Sequence, residues 1–425
     1  MRIIQRLVLG LALMLVGLAH AQTIEVSMWD FLSGGDGTRM KQLVADFNAS
    51  QDRIHVETTT SDWGVPFYTK VRTAIVAGQQ PDVVSYHLSR FPSAAPLGLL
   101  RAISDQELAA AGLSRDDYFP LLVDKATYEG QLYGVPLDTH PLVLFYNKDL
   151  LAELGLLGED GRPRGMDDLA TFTATLETVA AHTGQPALVF PTNGSAVWRV
   201  WLSLVGQQGG TVIDDGELTL DGTARDSFAA IVEWADRGLA ERNVETNGAS
   251  QAIFVAGSAA FMMNGVWNVT TFEDATAAGE FPFEYGVMPM PTLYDQPANW
   301  ADSHALVIPT SPRNEPSDEK VAAILEFIAF VSKNSQTWAS GGHIPAYRPV
   351  VDAEAYQTME PNVHYAAAAE SVVYDPDVAI AGAAGPLQQA VHDFLTPAVN
   401  GQLGVDEALE MFGAAVEQLL QESSN

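Results

Sequence analysis

Side chains able to do chemistry recur at the ends of short β-branched runs. Trp29 and Asp30, Asp62 and Trp63, and Tyr86 and His87 each follow such a run, and Asp138, Thr139 and His140 sit between Pro136 and Pro141 ahead of another. Further on, Asn264-Gly265-Val266 leads into Trp267. An indole or phenol ring presents a flat apolar face, while a carboxylate, imidazole or carboxamide presents hydrogen bonds in fixed directions. The chemistry on offer is recognition of a small ligand. The sequence holds no Gly-Lys-Ser/Thr phosphate loop, no His-Glu-x-x-His helix and no Gly-x-Ser-x-Gly elbow, and the glycines at 34, 35 and 37 do not complete a dinucleotide fingerprint. No cofactor and no metal is expected. Paired carboxylates for glycoside hydrolysis stay open as an alternative, since 53 acidic residues allow many pairings.

The elements that must position these groups read as strands alternating with helices. Residues 24–29, 54–60 and 82–86 pattern as strands; between them Met40, Leu43, Val44 and Phe47, then Phe67, Val71 and Ile75, fall at helical spacing. Residues 33–37 read as a Gly-rich loop. Such alternation predicts a parallel sheet with helices on both faces, and ligands bind beyond the carboxyl ends of its strands. That rule selects Asp30, Trp63 and Tyr86. Residues 131–154 contain a short buried strand at 142–146 and a helix opened by Asn147, and we read this stretch as a crossing between two lobes with Asp138 and His140 at the cleft. Beyond it come a hairpin turning at Asp215-Gly216, an apolar strand ending at Met263, and a strand at 305–309. An amphipathic helix through Val321, Ile324, Leu325, Ile328 and Val331, a proline-rigid loop at 343–349 and a helical C-terminus complete the chain.

With 425 residues, 47% of them hydrophobic, the chain exceeds the size of a single growing core, so two domains are expected. Arg2 and Arg6, the apolar run after them and Ala19-His20-Ala21 form a secretory signal over 1–21, with cleavage after Ala21. No cysteine is present to carry a disulfide or a lipid anchor, which makes a free periplasmic protein the expectation. The formal net charge of −31 argues against nucleic acid and anionic lipid as partners.

The order of several segments resembles a known family. Tyr133-Gly134-Val135-Pro136, residues 144–151 (Leu-Phe-Tyr-Asn-Lys-Asp-Leu-Leu), residues 77–84 (Ala-Gly-Gln-Gln-Pro-Asp-Val-Val), residues 257–267 ending in Asn264-Gly265-Val266-Trp267, Gly342-His343-Ile344-Pro345-Ala346 and Val405-Asp406-Glu407-Ala408-Leu409 are similar to the extracellular solute-binding proteins of ABC importers. The branch is the one with maltose- and glycerol-phosphate-binding proteins. The resemblance implies an α/β, two-lobed periplasmic-binding-protein fold (type II), each lobe a mainly parallel sheet flanked by helices, with hinge crossings. It divides the chain into an N-terminal lobe of 22–137 plus 302–340 and a C-terminal lobe of 138–301 plus 341–425. It further implies that Tyr86 stands where maltose-binding relatives stack a tryptophan, that Arg90 keeps their arginine, that His140 replaces a carboxylate, and that Trp198 and Trp267 are aromatic platforms. Ser89 replaces an acid. The implied function is capture of a neutral mono- or oligosaccharide: Tyr86, Trp198, Trp267 and Trp63 bury sugar faces, and Asp30, Arg90, Asp138, His140 and Asp302 bond hydroxyls. Closure is then recognised by the membrane permease subunits, and the protein acts as a monomer. A phosphorylated polyol is the alternative ligand, with Arg90, Arg199 and Arg348 as its cationic donors.

Overall fold

The computed structural model describes residues 23–423, so the secretory signal expected over 1–21 lies outside the described residues. The first sheet runs Ile54–Thr60, Ile24–Asp30, Val83–His87, His304–Val307, Val135–Pro136. Its three leading strands pair in parallel through the helices Gly34–Ser50 and Val65–Ala77, as the alternation predicts. His304–Val307 returns late in the sequence and pairs antiparallel to Val83–His87. Residues 33–37 do not form the expected loop. Gly34 to Gly37 make the first turn of the helix Gly34–Ser50, since the apolar spacing that starts at Met40 extends back one turn to the buried Gly37.

The second sheet is mixed. Its central strand, Asp138–Asn147, is twice as long as the five-residue run 142–146 suggests, and all ten residues are buried. Phe261–Gly265, Tyr285–Pro289, Asn299–Asp302 and Ile344–Pro345 all run antiparallel to it. Parallel pairing joins Phe261–Gly265 to Leu188–Val189 and Asn299–Asp302 to Val372–Val373, with a single parallel bridge from Leu188 to Ala240. The direction follows from the crossings. Asp138–Asn147 begins where the chain arrives from the first sheet, and Asn299–Asp302 ends where it leaves for His304, so the two must run oppositely. The polar start of the long strand survives because partners are supplied: Asp138 and Thr139 pair with Pro345 and Ile344, and His140 pairs with Asp302. The loop expected at 343–349 is therefore partly strand, followed by a helical turn at Arg348–Val351.

Along the long strand, side chains alternate between two cores. Leu142, Leu144 and Tyr146 enter a cluster with Trp198, Trp201 and Trp234, while Val143 and Phe145 enter another with Phe254, Phe272 and Tyr356. The first sheet has its own cluster, closed by the helix Asp318–Lys333, which buries Ile324, Phe327, Ile328 and Val331. The Ser317 hydroxyl caps that helix by accepting from the Lys320 amide, with Asp318 and Glu319 in the first turn and Lys333 in the last. Among the described residues no helix is long and apolar enough to cross a membrane.

The helix Gly194–Gln207 is nearly all buried, and its first residue touches another backbone. A Cβ at Gly194 would lie 2.2 Å from the Gln388 carbonyl oxygen and 2.6 Å from the His392 Cβ. Neither neighbour has a flexible end to move aside. Gly194→Ala should therefore destabilise the protein by about 1–3 kcal/mol, the usual penalty for overpacking. Thermal melting followed by circular dichroism would register this as a lower midpoint; an unchanged midpoint would contradict the packing described.

Candidate functional site

Where the crossings meet, a cavity of about 610 Å³ opens, within the range of small-molecule sites, roughly 300–1,000 Å³. The first sheet and its helices contribute Phe31, the stretch 32–36, Trp63, His87 and His304; the second sheet and its helices contribute His140, Arg199, Asn247, Asn264 and Trp267. His343 also lines it, just before Ile344–Pro345, where the chain makes a third crossing from the helix Asp318–Lys333 on the first sheet back to the second.

The base of this cavity is organised by one carboxylate. Asp138 is wholly buried, and its oxygens accept from the His304 amide at 2.8 Å and from Trp338 Nε1 at 2.7 Å, with His140 Nδ1 at 3.0 Å and His304 Nδ1 at 2.7 Å. His343 Nδ1 lies 2.9 Å from Asp138 Oδ2 without hydrogen-bond alignment, and its Nε2 is 2.9 Å from Asp36 Oδ1. Burial alone would raise the Asp138 pKa, but the surrounding His304, His140 and His343 overcome it and hold the carboxyl well below its ordinary range. The charge is therefore kept. His343 follows the same contest: burial works against its protonation, and Asp36 and Asp138 win, pushing it up to about 10. His140 goes the other way, brought down to about 3 by burial and then by His304, so it is a neutral imidazole. With Nδ1–H donated to the ionised Asp138, its Nε2 is left as an acceptor. Burial, then His304 and His140, likewise lower His87, whose Nδ1 is 2.6 Å from the Tyr68 hydroxyl.

On the opposite wall an amide network holds the turn that carries Trp267. Asn264 Nδ2 donates to Asn247 Oδ1 at 2.7 Å, its Oδ1 accepts from the Gly265 amide, and Asn268 Nδ2 donates to the Gly265 carbonyl at 2.7 Å. The indole folds back so tightly that a Cβ at Gly265 would sit 1.9 Å from it. One ring face of Trp267 carries the Arg199 guanidinium, 5.2 Å from the centroid.

Of the residues selected from sequence, Trp63, His140 and Trp267 line the cavity, and the others lie elsewhere. Asp30 is buried and turns to its own chain, accepting from the Leu32 amide at 3.0 Å. Tyr86 packs in the first core, edge-on to Tyr68 at 5.2 Å, and Arg90 lies 4.8 Å over that same Tyr68 ring. Asp138 supports the lining from beneath. Trp198, placed as a platform by resemblance, is instead fully buried and donates Nε1–H to Asp375 at 2.8 Å; its neighbour Arg199 is the one that reaches the cavity. Asp302 is buried, bonded to the Ser89 hydroxyl and to the Ser89 and Ser303 amides, and raised to about 7 by burial and then by Asp375. Arg348 is exposed and not part of the lining. His304 and His343 escaped the sequence reading. A signal was present, however: Asp302-Ser303-His304 repeats the pattern of Asp138-Thr139-His140.

A model of bacterial extracellular solute-binding proteins matches residues 42–366. The chain belongs to that family. Similar relatives of this solute-binding protein include a lactose-binding protein of Rhizobium radiobacter, 28% identical over 47% of this chain and 46% of its own length. A maltooligosaccharide ABC transporter solute-binding lipoprotein of Streptococcus pneumoniae is 26% identical over 64% of this chain and 60% of its own. The match thus spans about half to three-fifths of those two relatives. The periplasmic sn-glycerol-3-phosphate-binding protein of Brucella melitensis is 21% identical over 82% of this chain and 81% of its own. Among solved structures, the GacH receptor of Streptomyces glaucescens, known unliganded and with acarbose, superposes with a TM-score of 0.79 at 21% identity, covering 94% of this chain and 99% of that one. UgpB from Mycobacterium tuberculosis in complex with glycerophosphocholine gives 0.78 at 19% identity over 94% and 98%. At such identities the likeness is one of fold: the type II periplasmic-binding-protein architecture.

The Asp36–His343–Asp138 chain sets a pH dependence. His343 has a folded pKa of about 10 against an ordinary 6.5, so the folded protein holds a proton that the unfolded chain releases between those values. Its contribution to stability is whole below 6.5 and is lost as pH rises toward about 10. Asp302, near 7, and His140, near 3, finish titrating below most of that window. Urea unfolding at stepwise pH should show stability falling from neutrality to about 10, with a shallower fall in Asp36→Asn. A wild-type profile that is flat or rising there would contradict the ion-paired histidine.

Proposed function

We propose that this solute-binding protein captures a carbohydrate in the cavity between its lobes and closes on it by a hinge motion about the crossings, as the binding component of an ABC importer. The observation that carries this reading is a lining drawn from both lobes and centred on the strand that joins them. Trp63 and Trp267 offer rings to the C–H faces of a sugar, and His140, Asn247 and Asn264 offer hydrogen bonds to its hydroxyls. A ligand touching both walls favours the closed arrangement by its differential contacts. Lactose and maltooligosaccharides are what two relatives are named for, which supports a saccharide. We assign the protein a binding role without turnover, in the periplasm, as a monomer that hands its ligand to membrane permease subunits.

His140 is the residue on which the reading turns, because it lines the cavity while its Nδ1 is fixed to the hinge strand through Asp138. A thermal-shift screen against a carbohydrate library identifies the ligand, since binding to the folded state alone raises the melting temperature. Calorimetry with that ligand should then show His140→Ala weakening affinity about tenfold or more, about 1.4 kcal/mol. No stabilisation by any saccharide, or steady hydrolysis of a chromogenic glycoside, would overturn the proposal; an unchanged affinity in His140→Ala would remove the residue from the site.

A further inference from the structure

The imidazoles around Asp138 exceed what its carboxylate needs as a hydrogen-bond acceptor. The His304 amide and Trp338 Nε1 already donate to it, at 2.8 and 2.7 Å, yet His140, His304 and His343 each bring Nδ1 to within 3.0 Å of its oxygens as well. The four donor atoms lie within 4.8 Å of one another, and all four side chains are buried. His343 is the member that hydrogen bonding leaves over. Its Nδ1 is sealed from solvent 2.9 Å from Asp138 Oδ2, out of line for a hydrogen bond, and has no other partner among the described residues. A buried imidazole nitrogen left in that state is costly as a hydrogen-bonding group and well suited to a metal ion.

The groups behind these four side chains are of the kind that orient metal ligands. His343 Nε2 lies 2.9 Å from Asp36 Oδ1, so a carboxylate holds its second nitrogen and Nδ1 is the one free to coordinate. The His304 amide and Trp338 fix the plane of the Asp138 carboxylate in the same way. The three rings are grouped about one point, with centroids 4.3 Å apart for His140 and His304, 5.4 Å for His304 and His343, and 5.8 Å for His140 and His343. A tetrahedral ion with bonds of about 2.0–2.1 Å sets its donors roughly 3.4 Å apart, so the carboxylate and the nitrogens need to separate by only a few tenths of an ångström. His140, His304 and His343 all line the cavity, which gives the ion a route in.

We propose that Asp138, His140, His304 and His343 form a site for a divalent transition-metal ion, with Zn2+ the ion best matched to the donors. Three imidazoles and one carboxylate make a four-coordinate nitrogen and oxygen set, and with every position filled by protein the site is structural. The absence of a metal motif in the sequence follows from the ligands' origin in three separate segments. The ion replaces the protons carried at these Nδ1 atoms. It ties the strand Asp138–Asn147 to the return at His304 and to His343 ahead of the third crossing, and so cross-links the connections between the lobes. The site stands whether or not the cavity takes a saccharide.

The test uses the protein free of any affinity tag, stripped with chelator and titrated calorimetrically with Zn2+ in excess Mg2+ and Ca2+, which occupy surface acids and compete poorly for imidazole. One tight equivalent per chain is expected, with a raised melting temperature. Co2+ in its place should give the intense visible absorption of a tetrahedral site. His304→Ala and His343→Ala should each weaken Zn2+ binding by more than the roughly 10–100-fold typical of losing an outer-shell partner, and should abolish the Co2+ bands. Replacing the exposed His182 and His364 together, each paired with a surface glutamate, should change neither. No tight equivalent would overturn the proposal and leave a purely hydrogen-bonded cluster. An affinity unchanged by His304→Ala and His343→Ala would overturn it too, as an adventitious ion only. If a substituted chain does not fold, the wild-type Co2+ spectrum decides, and weak six-coordinate absorption contradicts the site.

Discussion

An ionised carboxylate with no access to water is tolerable only when its surroundings supply donors and opposite charge, and Asp138 draws these from distant parts of the chain. His140 comes from its own strand, His304 from the return to the first sheet, and Trp338 and His343 from the approach to the third crossing. Each of the three crossings therefore ends on the same side chain. Removing one member of such a buried ion pair typically costs about 3–5 kcal/mol, which is large against the stability of a folded domain. The crossings are fixed at their centre by electrostatics, while the cores on either side are held by apolar packing.

On the proposed reading, that arrangement couples recognition to shape. His140, His304 and His343 line the cavity as well as surrounding Asp138, so on the proposed reading a hydrogen bond from His140 to a ligand is made by a group already anchored to the joining strand. Asp36 extends the chain to the first turn of the helix Gly34–Ser50 through the charged His343. Polar groups at the cavity base are thus oriented by a second layer, much as ligating histidines are oriented by the carboxylates behind them.

The architecture was largely legible in the sequence because period and punctuation are local properties. The three leading strands of the first sheet and the helix Asp318–Lys333 show their apolar residues within a short stretch, and Asp215-Gly216 announces its hairpin; both residues have positive φ, as such a turn requires. The site was less legible. Trp198 and Arg199 are adjacent, yet neighbours on a helix point about 100° apart, and the phase of that helix against the cavity is set by tertiary packing. Asp138 looked like a ligand-binding acid because burial is not written in a single residue; only the histidines that converge on it from beyond residue 300 make it a support. Tyr86 and Asp30 lie at strand ends as expected, but alternation and local hydrogen bonding turn them inward.

The central claim is that a ligand binds between the lobes and closes them about the Asp138-anchored crossings. Small-angle X-ray scattering of the protein alone and with a saturating saccharide shown by calorimetry to bind tests it most directly. The account predicts a smaller radius of gyration in the bound state, and two superimposable curves would contradict it.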